Sequence, residues 1–167
     1  MVINISLEFS GMNLIAETPT ETIVFEEARL TDLSEIKKLL KQLVPEQNQE
    51  FGLMLVDLSE SIKSNYNKWF VIRCNDKVVG CCQLIIYRNL IRSPFLKAII
   101  DSVIVDEKHQ YIGFGKLLIE RVLEYAKQRH VGKVQLISSF PRFQAHNFYE
   151  KLNFRKVGYG FIRDLNS

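Results

Sequence analysis

Apolar positions along the chain follow two rhythms. From Thr22 to Arg29 apolar and polar residues alternate in part, the period-two pattern of a strand. Thr31-Asp32-Leu33-Ser34-Glu35 then offers a helix N-cap with an acid three residues on. Ile36, Leu39, Leu40 and Leu43 follow at i, i+3, i+4 and i+7, which is one apolar helical face. Pro45 separates that helix from a second, predicted from Glu46 to Lys63, with an apolar stripe at Phe51, Leu55, Leu58 and Ile62. Trp69 to Cys74 and Val78 to Tyr87 read as a hairpin around the turn Asn75-Asp76-Lys77. Phe95 to Val105 is a long β-rich run. A loop from Asp106 to Tyr111 leads through Gly113-Phe114-Gly115 into a helix with Leu118, Val122, Tyr125 and Ala126 on one face and Gly132 as its stop. Lys133 to Ser138 is a predicted strand, Arg142 to Leu152 a short helix and Phe154 to Asp164 a final strand. Residues 1–20 lack a clear period and read as an N-terminal extension with one short strand. Residues 21–167 then make a single α/β domain of mixed pairing, with hairpins early and a strand–helix–strand crossover later.

Composition narrows the class. With 167 residues, 47% hydrophobic and 25% charged, the chain has the balance of a globular domain able to bury a core without disulfides or metals. No apolar run reaches the roughly 18 residues needed to span a bilayer. The opening Met1-Val2-Ile3-Asn4-Ile5-Ser6-Leu7-Glu8 has no basic start and does not read as a secretory signal. The three cysteines, Cys74, Cys81 and Cys82, are an odd set that suggests reduced thiols and a cytoplasmic protein. Cys81 and Cys82 are adjacent, so on a strand they face opposite sides and read as packing residues. The net charge of +3 is too small to argue for nucleic acid, and no membrane partner is expected. Its distribution is uneven. Residues 108–167 carry +7, from eleven Lys or Arg against four Asp or Glu, and residues 1–107 carry −4. A basic half suits an anionic ligand and an acidic half a cationic one, although chance imbalance on solvated surfaces gives the same count.

The stretch that carries chemistry is Val103-Ile104-Val105, a loop, then Gln110-Tyr111-Ile112-Gly113-Phe114-Gly115-Lys116 and a helix. A strand delivers the chain to a helix N-terminus through two glycines that allow a tight turn with no side chain in the way. First-turn amides lack intrahelical partners, and the helix dipole adds positive potential there. The result reads as a phosphate cradle made mostly of backbone, with Lys116 at its rim, although on pattern alone a Gly-rich strand-to-helix turn that binds nothing gives the same sequence. It is not a nucleotide P-loop, because Gln110 replaces the first Gly and Leu117 the Ser or Thr. Nor is it a dinucleotide fingerprint, whose third Gly would fall at Leu118. Three scattered histidines and three cysteines show no metal-ligand spacing, so no metal is expected. His109 and His146 read as loop or helix-surface residues, and Ser138 and Ser139 as turn residues able to bond a ligand.

Gln110-x-x-Gly113-x-Gly115 after a β-run, with Ala145-His146-Asn147-Phe148-Tyr149-Glu150-Lys151-Leu152-Asn153-Phe154 about thirty residues on, resembles the GCN5-related N-acetyltransferase (GNAT) family over residues 21–165. Asn153 departs from the family's usual Gly, a mild change because Asn tolerates the left-handed conformation. The resemblance implies a mixed, mostly antiparallel central sheet with two splayed parallel strands and helices on both faces. It implies acetyl-CoA as acyl-donor substrate. Backbone of Val103, Ile104 and Val105 would meet the pantetheine, the segment Gln110, Tyr111, Ile112, Gly113, Phe114, Gly115 and Lys116 would hold the diphosphate, and Asn147 would touch the donor. Tyr149 matches the family's general acid, against a plain reading as a packing aromatic beside Phe148. Asp101 would act through water as a base, against a plain strand-end carboxylate.

The implied reaction is direct transfer of an acetyl group to a primary amine of a small molecule or peptide, by a monomer or homodimer. The alternatives are a non-catalytic acyl-CoA-sensing module and an enzyme using a longer acyl chain. In the family the first two helices shape the acceptor pocket. Here Glu46, Glu50, Asp57 and Glu60 fall within about 80° on the second predicted helix, nearly opposite its apolar stripe. That favours a solvated acidic face, and leaves open one that draws a cationic amine with help from Glu26 or Glu27.

Overall fold

The computed structural model describes residues 2–5, 21–46, 50–88, 96–163 and 165. They form two compact units, residues 1–135 and 136–167. The first unit is built on a six-stranded sheet of order β1-β2-β3-β4-β5-β6, with β1 Val2–Ile5, β2 Glu21–Glu27, β3 Asn67–Cys74, β4 Lys77–Arg88, β5 Leu96–Val105 and β6 Val131–Gln135. All neighbours pair antiparallel except β5 and β6, which are parallel and joined through a helix. This is the expected architecture. β1 is the short strand foreseen in the extension, and residues 6–20 lie outside the described residues.

The β3–β4 hairpin turns on Asn75 and Asp76 at φ 49° and 65°. A two-residue turn with both centres left-handed matches the twist of the flanking strands, and Asn and Asp tolerate it best after Gly. Asn75 Oδ1 also accepts from the Thr22 amide at 3.1 Å, tying the turn to β2.

Helices α1 (Leu33–Leu43) and α2 (Phe51–Lys63) cover one face of the sheet and α3 (Phe114–Gln128) the other. On the first face Ile36, Leu39 and Leu40 bury with Val71, Val78, Cys81 and Leu58, so the stripe read from α1 is its core face. On the second, Ile23, Ile72, Cys74 and Val79 pack with Phe114, and Phe70 meets Tyr125 edge-on. Cys82, in register with Phe70, shares its side of the sheet. Burial pushes the Cys81 thiol up to about 12 and raises Cys82 as well, so both are packing residues.

Five expectations are corrected. Helix α2 begins at Phe51 rather than Glu46, so Glu46 is not on it. Of its predicted stripe only Leu58 is buried, while Phe51, Leu55 and Ile62 are 49%, 41% and 39% exposed. Ser61 takes a buried place instead, its hydroxyl donating to Asn67 O at 3.1 Å. Gly132 does not stop α3, because His130 at φ 59° supplies the left-handed residue and Gly132 lies in β6. Strand β6 runs Val131–Gln135, not 133–138. Residues 154–163 have no regular secondary structure, where a last strand was expected. Gly158 and Gly160 weaken that stretch as a strand.

In the second unit α4 is Phe143–Lys151. It closes with paired backbone bonds, Phe154 N–H to Tyr149 O and Asn153 N–H to Glu150 O, both 3.0 Å, and with Asn153 at φ 63°. This is the Schellman stop, in which the residue after the left-handed one packs back on the helix. Phe154 and Tyr149 do so, with ring centroids 5.8 Å apart. Asn therefore does here what Gly does elsewhere.

Candidate donor-binding site

Strand β5 leaves its parallel partner early. The β5–β6 ladder ends at Ile99 and Gln135, whereas β5 continues to Val105. Beyond Ile99 its other edge still pairs with β4, as far as Gly80 and Val105. That close approach needs the glycine. A Cβ at Gly80 would sit 2.9 Å from Ile72 and 3.0 Å from the Ile104 carbonyl. The strand is also bent. Its register shifts opposite Cys81–Gln83, and Ser102 lies at φ 51°. The Asp101 carboxylate accepts the Ser102 N–H at 2.6 Å and so braces this bulge. Asp101 itself is exposed.

The loop after Val105 is pinned at many points. Asp106 N–H donates to Val79 O at 2.8 Å, and His109 N–H to Asp106 O at 2.8 Å. The Asp106 carboxylate meets His109 Nδ1 at 2.9 Å and accepts from Gln42 Nε2 at 3.1 Å. Burial pulls this carboxyl upward, but bonds from Gln42 and His109 and the positive potential of His109 and Lys108 outweigh it and hold it below the usual carboxylate range. Gln110 Nε2 donates to Val105 O at 3.0 Å. The Gln110 side chain thus closes its own loop.

The turn itself is built for an anion. Tyr111 and Gly113 lie at φ 65° and 101°. Gly113 is the N-cap of α3, and no side chain caps the helix. The first turn's Leu117 N–H reaches Gly113 O at 3.0 Å. The amides of Phe114, Gly115 and Lys116 precede it and have no intrahelical acceptor. A Cβ at Gly113 would meet nothing within 4 Å, so the space in front of the turn is open. Phe114 is buried and anchors the helix start, while Tyr111, Ile112 and Lys116 are exposed. Lys116 pairs only loosely, at 3.8 Å, with Glu120.

Of the predicted site residues, Asp101, Val103 to Val105 and Gln110 to Lys116 come together along one strand, loop and helix start. Asn147 and Tyr149 lie on α4 of the second unit. Asn147 is exposed; Tyr149 is half-buried between Phe148, at 5.2 Å, and Phe154. Ser138 Oγ in that unit is buried without a hydrogen-bond partner, an orphan that invites a ligand. Among the described residues no group of His, Cys, Asp or Glu could hold a metal ion, and no helix is long and apolar enough to cross a membrane.

Of the carboxylates read as able to draw an amine, Glu50, Asp57 and Glu60 are exposed, whereas Glu26 and Glu27 are engaged by the chain's own cations. Glu26 binds Arg29 and Arg73, each at 2.6 Å, and Glu27 binds the buried Lys68 at 2.8 Å. The buried Asp32 takes both oxygens to Arg73 Nη2 at 2.7 Å.

An acetyltransferase (GNAT) family model matches residues 33–154, from the start of α1 to the stop of α4. The chain belongs to the acetyltransferase (GNAT) family. Solved structures agree on the fold. A transcriptional regulator from Bacillus halodurans C-125 superposes with TM-score 0.80 at 23% identity, over 86% of this chain and 99% of that one. An acetyltransferase of Trypanosoma brucei gives 0.73 at 26%, over 86% and 99%. The aminoglycoside N-acetyltransferase AAC(6')-Iy, in complex with CoA, gives 0.76 at 18%, over 89% and 99%. The GNAT glycine turn and the splayed strands are therefore those of a known fold. The structure adds Gln42, which sequence reasoning missed because it lies 64 residues from its partner. The Asp106–His109 pair was open to a local reading, at i, i+3.

Proposed function

We propose that the protein transfers an acetyl group from acetyl-CoA to a primary amine. The observation that carries this is the open helix start at Gly113–Lys116, which no side chain caps, one loop beyond the end of β5 whose edge toward β6 is unpaired. A diphosphate suits the three free amides and the helix dipole. Amides of a pantetheine arm suit the β5 edge, where the Val105 carbonyl already serves Gln110 and Val103 is the better partner.

In the reaction the amine nitrogen's lone pair attacks the thioester carbonyl carbon. The tetrahedral intermediate collapses, the C–S bond breaks, and the sulfur takes a proton. Tyr149 is the proposed donor of that proton. The amine proton passes through water to Asp101, whose exposed carboxylate is anchored by one oxygen and leaves the other for solvent. An alkyl ammonium has a pKa near about 10.4, so this second transfer is needed before attack.

The acceptor is proposed to be an amine with an apolar body. Phe51, Leu55 and Ile62 are exposed on α2, and Glu26, Glu27 and Asp32 are neutralised by their own partners.

A thiol-release assay with acetyl-CoA against monoamines, polyamines, aminoglycosides, amino acids and peptides tests the reading. Release with apolar amines is expected. Tyr149→Phe should lower kcat about a hundredfold and leave the CoA Kd within about twofold. CoA binding without thiol release on any amine would replace the enzyme with an acyl-CoA sensor. Faster release from longer acyl-CoAs would change the donor.

A further inference from the structure

We infer that Gln42, at the last turn of α1, is a positioning residue for the donor: it clasps the β5–α3 loop from a different element and presets the anion-binding turn. Its amide is used at both ends. Nε2 donates to Asp106 Oδ1 at 3.1 Å, and Oε1 accepts the Glu107 N–H at 3.2 Å. The clasp continues inward. The other oxygen of Asp106 meets His109 Nδ1 at 2.9 Å. The His109 ring stacks on Phe114 with centroids 6.1 Å apart. Phe114 is the first residue of α3 and is buried in the core. One chain of contacts therefore runs from α1 to the helix start whose amides face the open space at Gly113.

A loop of eight residues between β5 and α3, free of such ties, would lose conformational freedom each time it bound a ligand. Here most of that ordering is done beforehand. Gln42 reaches this loop from outside the β5–α3 segment, and it bonds the loop's first two residues together. Preorganisation of this kind raises affinity without touching the ligand. Because α1 belongs to the opposite face of the sheet from α3, the clasp also ties the two helical layers across the end of β5.

The ligand named here rests on the donor reading above; the ordering of the loop does not. Two measurements separate them. Amide hydrogen exchange of residues 107–113 in the ligand-free protein reads the clasp itself, and calorimetry with CoA reads its use. Gln42→Glu keeps an acceptor for the Glu107 N–H but sets a carboxylate against Asp106. It should speed exchange of the loop about tenfold and raise the CoA Kd about fivefold. In acetyl transfer, the KM for acetyl-CoA should rise more than kcat falls. Adding Asp106→Asn to Gln42→Glu exchanges the roles of amide and carboxylate and restores the bond. Both readouts should return to within about twofold of the parent. Gln42→Ala gives a second, uncharged disruption with the same sign.

Unchanged loop exchange in Gln42→Glu, or a double variant as loose as the single one, overturns the clasp. Loosened exchange with an unaltered CoA Kd overturns its role in positioning. A parent protein whose loop responds as expected but binds no CoA leaves the clasp standing and removes the donor reading.

Discussion

The turn into α3 and the exposed face of α2 are made of opposite materials. At the turn, main chain does the work. Glycine at φ 101° leaves open space, the three amides after it have no intrahelical acceptor, and side chains such as Gln42, Asp106 and Gln110 are spent on holding that main chain still. On α2 the main chain is closed within the helix, and what it offers outward is side chains, Phe51, Leu53, Leu55, Val56 and Ile62 together with Asp57 and Glu60. The difference teaches where each kind of specificity resides. A diphosphate is the same in every donor, so backbone geometry can recognise it. Acceptors differ, and side chains that vary freely are the means of telling them apart.

The largest effect should come from Asp32, the buried carboxylate that shares Arg73 with Glu26. If it serves the fold, Asp32→Ala should cost about 2 kcal/mol in urea unfolding, since it leaves Arg73 to Glu26 alone and the Arg29 amide without its acceptor. The amine KM of whatever folded protein remains should hold. A large change in KM at unchanged stability would move Asp32 to the acceptor side and blur the contrast.

Next comes the turn. Gly113→Val forces a β-branched residue to φ 101° and puts methyl groups where the ligand would lie. CoA affinity should fall by at least about tenfold, with the core otherwise intact. Affinity within twofold of the parent would mean that the diphosphate binds elsewhere.

A smaller effect is expected on α2. Leu55→Ser removes exposed apolar surface and should change stability by less than about 0.5 kcal/mol. It should raise KM for an apolar amine about threefold and leave the acetyl-CoA KM alone. Equal changes in both constants would mean that the two regions are not separate in function.

The smallest concerns pH. Asp106 is held below the ordinary carboxylate range in the folded protein. Its contribution is therefore full above the unfolded value of about 3.9 and is lost as pH falls through the folded value. The gap in urea midpoint between the parent and Asp106→Asn should be present at pH 7 and close on acidification below pH 4. A gap that widens with acid would reverse the sign.

Much of this was legible locally. The α1 face, the β3–β4 hairpin and the glycine turn each depend on residues within a few positions, so their patterns survived into the structure. Periodicity on α2 marked a stripe of which only Leu58 is buried, because Ser61 takes a core place and Phe51, Leu55 and Ile62 stay open. The stop of α3 was misplaced by two residues because His130, not the nearby Gly132, took the left-handed conformation. Val131 and Gly132 then joined β6, a choice made by pairing with β5 rather than by propensity. Glu27 and Asp32 were charges in a sequence with no visible cation, and Glu26 showed only its neighbour Arg29. Arg73 and Lys68 lie more than forty residues away and meet them only once β2 and β3 pair. Gln42 had no local signal at all.

The central claim is that backbone amides at the start of α3 bind the donor's diphosphate. Amide chemical shifts recorded while CoA is added to the isotope-labelled protein test it most directly. The account predicts saturable shifts of the Gly113, Phe114, Gly115 and Lys116 amides, the largest in the spectrum, with 3′-dephospho-CoA still producing them. Binding that leaves these four amides in place, or none at millimolar CoA, would contradict it.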